Sequence, residues 1–292
     1  MFFSILIPTY KNLDYLELTI NSLKKNSTYD HEIIVHNNSN DHKTEIFLKK
    51  NSILFTSSQE NIGLCSAVNA AYKKSTKDLI VYAHDDMYFL PKWDFYILDE
   101  IKKKKDNFYY FSSTQLGRNV ASKNEKINHI FYDAGDNIYN FNEQKLLREF
   151  ETLKFYDLQG SHWAPHVVHR KIWDRAGGFS EEFNPGDGSD PDFCMKLWNE
   201  KTRVFKAISK FKVYHFNSKT TRNSKVILNN GTKTFLFKYG FNPRFFRKHY
   251  LRGNISIIPY IGTLTNPNKN IRYYIDLIKC KIKILYYKIF NY

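Results

Sequence analysis

Residues 82–91 read YAHDDMYFLP, an apolar run that ends in His84 and two adjacent carboxylates, Asp85 and Asp86. Alone, such a pair only solvates a turn. Three earlier apolar runs also end in polar residues: PTYKN after SILI, HNNSND after EIIV, and SSQENIG after ILFT. Brought together, these ends offer a threonine hydroxyl, several asparagine amides and paired carboxylates. Hydroxyls and amides can read a base and ribose, while hard carboxylate oxygens hold magnesium or manganese against a diphosphate.

The elements that must position these residues are legible as a repeating pattern. FSILIPTY is a short strand stopped by Pro8, and Leu16, Ile20 and Leu23 mark a helix over 14–25 with Asp14 as its N-cap. HEIIVHNN, SILFTSS and DLIVYAHDD are further strands, separated by helices at Thr44–Lys50 and Leu64–Lys74. Strand and helix alternate through the first ninety or so residues, which predicts a parallel, doubly wound α/β sheet with ligands at the carboxyl ends of its strands. Beyond Pro91 the order becomes irregular, with an amphipathic helix at Trp93–Ile101, strands near FYYFSS and HVVHR, and a helix over Asp190–Glu200. A second, more mixed half is expected there.

Composition narrows the class. The 292 residues are 42% hydrophobic and 17% aromatic, enough for a sizeable core and against disorder. The opening MFFSILIPTYK lacks a basic leader and has a short apolar run, so it reads as a buried strand, not a signal peptide. No run is long enough to span a membrane. The expectation is a cytoplasmic protein, or one at the inner face of a membrane. Cys65, Cys194 and Cys280 have no CxxC spacing and read as buried reduced thiols. The net charge of +15 favours polyanionic partners, and it is concentrated late, since from Asn217 onward Asp276 is the sole acid.

SILIPTYKN, IIVHNNSND, ENIGLCSAVNAA and IVYAHDDMYF, in this order and spacing, resemble the nucleotide-binding half of the GT-A fold glycosyltransferases, specifically the inverting family 2. AGGFSEEFNPGDGSDPDFCMKLW resembles that family's acceptor-side signature, and KVYHFNS its late strand ending in a metal-site histidine. The likeness runs from Phe3 to about Asn217. It implies a GT-A domain over 1–216, with a nucleotide-binding half at 1–90 and an acceptor half at 91–216, followed by a basic extension at 217–292. It further implies that Pro8, Thr9 and Tyr10 line the base and ribose, with Asn38 and Asn61 along the nucleotide. Asp86 and His215 would ligate Mn2+ or Mg2+, and Asp85 would lie near the ribose or donor sugar. Asp190 would be the general base. The implied activity is transfer of a hexosyl or N-acetylhexosaminyl group from a nucleotide sugar, UDP-linked, to a saccharide or lipid-linked saccharide in surface polysaccharide biosynthesis. The chain departs from the family at three positions. His36 replaces the usual Asp at the base, leaving an imidazole nitrogen or the Asn37 amide to serve there. His84 replaces the first acid of the metal motif, so one carboxylate must suffice. Ser189 replaces the usual Glu of the acidic pair, which favours Asp190 as base over Asp187 and Asp192.

Plainer readings set the remaining expectations. His162, His166 and His169 flank Pro165 and two valines, a strand pattern that does not gather three imidazoles on zinc. Trp163 and Asp187 are assigned to the acceptor side, and Trp198 to the core. KKKK at 102–105 is the solvated end of a helix. Ile271, Ile275, Ile278, Ile282, Leu285 and Ile289 form the apolar face of a basic amphipathic helix, suited to a peripheral membrane contact or a homo-oligomer. A basic nucleic-acid module would leave the acidic strand ends unexplained, so no nucleic-acid partner is expected. A degenerate protein that binds a sugar nucleotide without catalysis is the other alternative.

Overall fold

The computed structural model describes residues 2–118, 129–153, 155–217, 229–253 and 258–290. Strand β1 (Phe3–Thr9) is buried on both faces for nearly all its length, so its sequence is a continuous apolar run. Helix α1 (Leu13–Asn26) covers it with the expected Leu16, Ile20 and Leu23 stripe. Its N-cap is Asn12, not Asp14: Leu13 already opens the helix, which leaves Asp14 in the first turn, where a carboxylate still meets the helix dipole. The alternation continues through β2 (Glu32–Asn37), α2 (His42–Lys50), β3 (Leu54–Ser57), α3 (Leu64–Tyr72) and β4 (Leu79–Tyr82). These four strands are parallel, and Leu6 pairs with Ile34 on one side and Tyr82 on the other. The carboxyl ends of β1, β2 and β3 are thereby level, Thr9 beside Asn37 and Asn37 beside Ser57, while β4 ends earlier, at Tyr82 beside Leu6.

The second half comprises β5 (Met87–Phe89), α4 (Trp93–Lys102), β6 (Tyr109–Gly117), β7 (His129–Phe131), α5 (Glu143–Glu149), β8 (Leu158–Gln159), β9 (His166–His169), α6 (Arg170–Ala176), α7 (Ser189–Asn199) and β10 (Val204–His215). The last described helices are α8 (Gly231–Tyr239), α9 (Pro243–His249) and α10 (Ile271–Ile289). One sheet joins both halves in the order β3-β2-β1-β4-β9-β6-β10-β5, with β7 beside β6 and β8 beside β10. The first four strands form the expected parallel sheet, and the second half is mixed, as expected: β9 runs antiparallel to β4 and β6, and β5 antiparallel to β10. A central strand buried on both faces shows the same apolar pattern in either direction, so HVVH carries no sign of its sense.

The main core runs through the sheet from Phe3 and Trp93 to Trp173, Phe179 and Phe193, and on to Phe235, Phe245 and Tyr273 in the last three helices. A satellite cluster of Tyr88, Leu116, Leu146, Tyr214 and Phe216 lies under the residues after β7. Trp198 is buried as expected, with the Arg203 guanidinium 3.8 Å from its ring centroid. The three cysteines are free and buried, and burial pushes the Cys65 thiol up to about 12, so these are packing groups. Helix α4 ends at Lys102, and Lys103 pairs with Asp99 at 2.7 Å, which makes the lysine run a solvated helix end.

Candidate active site and metal centre

The loop between β4 and β5 carries His84, Asp85 and Asp86 off the end of the sheet. Met87, the first residue of β5, pairs with His215, the last of β10. This register places the His215 imidazole against Asp86, with Nε2 3.1 Å from Oδ1. His84 completes the group, its ring centroid 5.4 Å from that of His215. One ligand atom from each of the three lies within 4.8 Å of the others. Burial, reinforced by the neighbouring His215, holds His84 down at about 4, so near neutral pH its ring is uncharged and keeps a lone pair for a cation.

A residue on β6 sets the state of His215. Gln115 donates from Nε2 to the Ala164 carbonyl, which can only accept. Its Oε1 is therefore the atom 2.9 Å from His215 Nδ1, and that nitrogen must be the donor. In the neutral ring the Nε2 lone pair then faces the Asp86 carboxylate. Two electron-rich atoms at this distance call for a cation, either a proton on the ring or a metal ion. The donor set thus fits a divalent cation. Neither His84 as a ligand nor Gln115 as the support of His215 was anticipated from the sequence. His84 does carry a signal, standing two residues before Asp86, whereas Gln115 has none, because its role arises only from strand register.

Asp85 points elsewhere. Thr9 Oγ1 donates to Asp85 Oδ2 at 2.6 Å, and Thr19 Oγ1 to the Asp85 carbonyl at 2.8 Å. Burial, and then the adjacent Asp86, raise its carboxyl above the ordinary range. Pro8 pairs with His36 across β1 and β2, and Tyr10 is half-buried beside Lys11. His36 is buried, and both its nitrogens are engaged, Nδ1 with Thr56 Oγ1 at 2.8 Å and Nε2 with Ser58 Oγ at 3.2 Å. Burial lowers it to about 4, so the ring is neutral. Asn38 donates to Asn61 Oδ1 and accepts from the Ile62 amide, both at 2.9 Å, and the Asn37 side chain is closed on the Asp41 backbone. These polar groups brace the loop after β3 as well as lining the sheet end. Sequence reasoning could not separate the two uses.

The acceptor-side loop is fastened to the first half through Asn184. Its Oδ1 accepts from the Cys65 amide at 2.9 Å and its Nδ2 donates to Ser66 Oγ at 2.8 Å, closing the N-terminus of α3. Gly63 makes this possible: its φ is +84°, and a Cβ there would lie 2.4 Å from Asn184. Asp187 accepts from the Gly231 amide at 2.9 Å, and Asn229 bonds both its N–H and its carbonyl. It is exposed and ties the loop to α8. Gly188 is the N-cap of α7. Asp190, in the first turn, is mostly buried, and its Oδ1 has no hydrogen-bond partner. Burial raises Asp190 to about 7. Asp192 also has an unpartnered oxygen, Oδ2, but its Oδ1 is bonded to Tyr239 and Lys238. Asp190 and the Asp85–Asp86 pair all act on the buried Tyr82 phenol, which burial itself drives far above its ordinary value. Base candidate and metal corner thus share one neighbourhood. Trp163 is half-buried, its Nε1 donating to the Ser113 carbonyl at 3.0 Å. His166 lies inside the core, and among the described residues the potential metal-binding group of three or more His, Cys, Asp or Glu is His84, Asp86 and His215.

Solved structures share this architecture at low identity. S. aureus TarS 1–349 in complex with UDP-GlcNAc is 14% identical with a TM-score of 0.56, covering 81% of this chain and 65% of that one. The mannosyltransferase PcManGT from Pyrobaculum calidifontis, in complex with GDP-Man and Mn2+, is 14% identical with a TM-score of 0.51, covering 75% and 57%. GalNAc-T7 with UDP, GalNAc and Mn2+ is 12% identical with a TM-score of 0.55, covering 74% and 44%. The matched region spans less than two thirds of each of these chains. Among curated proteins none matches by sequence. The family model described as Glycosyl transferase family 2 matches residues 4–164, more than half of the chain and the whole span from β1 through the loop before β9. With its GT-A sheet and its aspartate–histidine corner, the chain belongs to glycosyl transferase family 2.

Proposed function

We propose that the protein is a metal-dependent inverting glycosyltransferase that moves a hexosyl or N-acetylhexosaminyl group from a UDP-linked donor to a saccharide hydroxyl, free or lipid-linked, in surface-glycan assembly. The donor lies against residues 1–90, the acceptor against 91–216, and 217–292 is an appended basic extension. The observation that carries this reading is Asp190: a buried carboxylate oxygen with no partner, on the acceptor loop, in the neighbourhood of the metal corner. GDP-Man with Mn2+ in one of the similar structures, UDP, GalNAc and Mn2+ in a second, and UDP-GlcNAc in a third support it.

His84, Asp86 and His215 would hold the cation, and an N2O donor set favours manganese over magnesium. When bound, that ion supplies charge stabilisation to the departing diphosphate. Thr9 and Asp85 position the ribose or donor sugar, with Pro8, Tyr10, His36, Asn38 and Asn61 forming the wall along the nucleotide. Trp163 and Asp187 border the acceptor. Asp190 takes the proton from the acceptor hydroxyl as its oxygen attacks the anomeric carbon. The bond from that carbon to the diphosphate oxygen breaks, its electron pair leaves with the nucleoside diphosphate, and the anomeric centre inverts in one displacement. A thermal-shift panel of nucleotide sugars with and without manganese tests the reading. Stabilisation by a UDP-sugar that requires manganese is expected, and no stabilisation by any donor overturns it.

A further inference from the structure

Helix α10 has two apolar faces. Tyr273, Leu277, Cys280, Ile284 and Tyr287 are buried or partly buried against the body, where the helix packs on α8 and α9. Ile271, Ile275, Ile278, Ile282, Leu285 and Ile289 point the other way and are all exposed, Ile282 at 62%. At about 100° per residue these six fall within an arc of roughly 80°. Lysines stand in rows on both seams between the faces: Lys279 and Lys283 on one, Lys281 and Lys288 on the other, all exposed. The helix's one acid, Asp276, is taken up by Lys248 and His249 of α9. The outward face is therefore an isoleucine ridge between two cationic rows, in which Lys279 comes within 3.9 Å of Asp276, an acid it shares with Lys248 and His249.

We infer that this ridge docks α10 flat on an anionic lipid surface, with the isoleucines below the headgroups and the lysine rows among the phosphates. Charge complementarity selects this occupant. A second copy joined ridge to ridge would bring lysine rows against lysine rows, whereas anionic headgroups neutralise both rows at once. No helix among the described residues is long and apolar enough to cross a membrane, so the contact is interfacial. Because α10 rests on α8, whose first residue Gly231 donates to Asp187, docking would hold the acceptor loop at a set height above the lipid surface.

The test is co-sedimentation of the full chain with vesicles of phosphatidylcholine alone and of phosphatidylcholine with phosphatidylglycerol. Binding to the anionic vesicles and weak binding to the neutral ones are expected. An Ile278→Asp/Ile282→Asp variant should lose more than tenfold in partitioning, and each of Lys279→Gln, Lys283→Gln and Lys288→Gln about fivefold. Unchanged melting temperatures would verify the fold, since these side chains face solvent. Equal binding to both vesicle types, no binding to either, or a wild-type dimer that Ile278→Asp/Ile282→Asp dissociates in sedimentation velocity would overturn the inference.

Discussion

His215 Nε2 faces Asp86 Oδ1 at 3.1 Å, across the junction of β10 with β5. Asp86 brings the formal charge to this corner, and to a bound cation the two imidazoles would add dative bonds only. Asp86→Asn keeps the shape and removes the charge. Calorimetric titration with Mn2+ should show affinity falling about a hundredfold or more, and manganese-dependent donor stabilisation should vanish. Unchanged Mn2+ affinity would remove Asp86 from the site.

Gln115 controls that corner through orientation. Gln115→Met keeps length and bulk but offers His215 no acceptor, so the ring is free to turn or change tautomer. Mn2+ affinity should drop by roughly 10- to 100-fold, the usual consequence of losing a supporting partner behind a metal-ligating histidine. Gln115→Glu retains an acceptor for Nδ1 and should recover most of that loss. If both variants bind Mn2+ like wild type, Gln115 is a packing residue.

Much of this arrangement can be read along the chain because the chemistry stands at element ends. Asp86 stands in the loop after β4, directly before β5, His215 ends β10 and Asp190 lies in the first turn of α7, so strand and helix signals locate them. Gln115 is invisible because its partner is a hundred residues away and is chosen by the pairing of β6 with β10. His36 and Asn38 look like exposed ligand groups until β3 and its loop supply Thr56, Ser58 and Asn61 as partners. The strand sense of β9 is hidden for a different reason, since burial on both faces erases directional pattern. In α10 the expected apolar stripe is real, but a second stripe built on tyrosines and a cysteine wins the packing and leaves the isoleucines outside.

The joint between the halves rests on Gly63 and Asn184. Gly63→Ala forces a Cβ into Asn184 at a positive φ, so it should lower stability by about 1–3 kcal/mol in urea unfolding. Asn184→Ala removes the cap on α3 and should cost about 1 kcal/mol. Both substitutions lie on the acceptor loop's attachment, so acceptor KM should rise more than donor KM. A donor-side effect alone would show that the joint does not position the acceptor.

Asp190 couples rate and stability with opposite signs. Burial raises its carboxyl to about 7 from an ordinary value near 4. A base works when deprotonated, so kcat/KM should climb about tenfold per pH unit below 7 and level off above it. The native state holds this proton more tightly than the unfolded chain does. The unfolded state therefore binds fewer protons between about pH 4 and 7, and Asp190 subtracts stability as pH rises through that window. Asp190→Asn should consequently melt higher than wild type at pH 8 and match it near pH 4, while its transfer rate falls by about 10²- to 10⁴-fold with donor affinity unchanged. Asp85 is raised as well, and the same variant separates the two: a pH slope that persists in the residual activity of Asp190→Asn belongs to Asp85. Full transfer rate in Asp190→Asn would leave the reaction without its base.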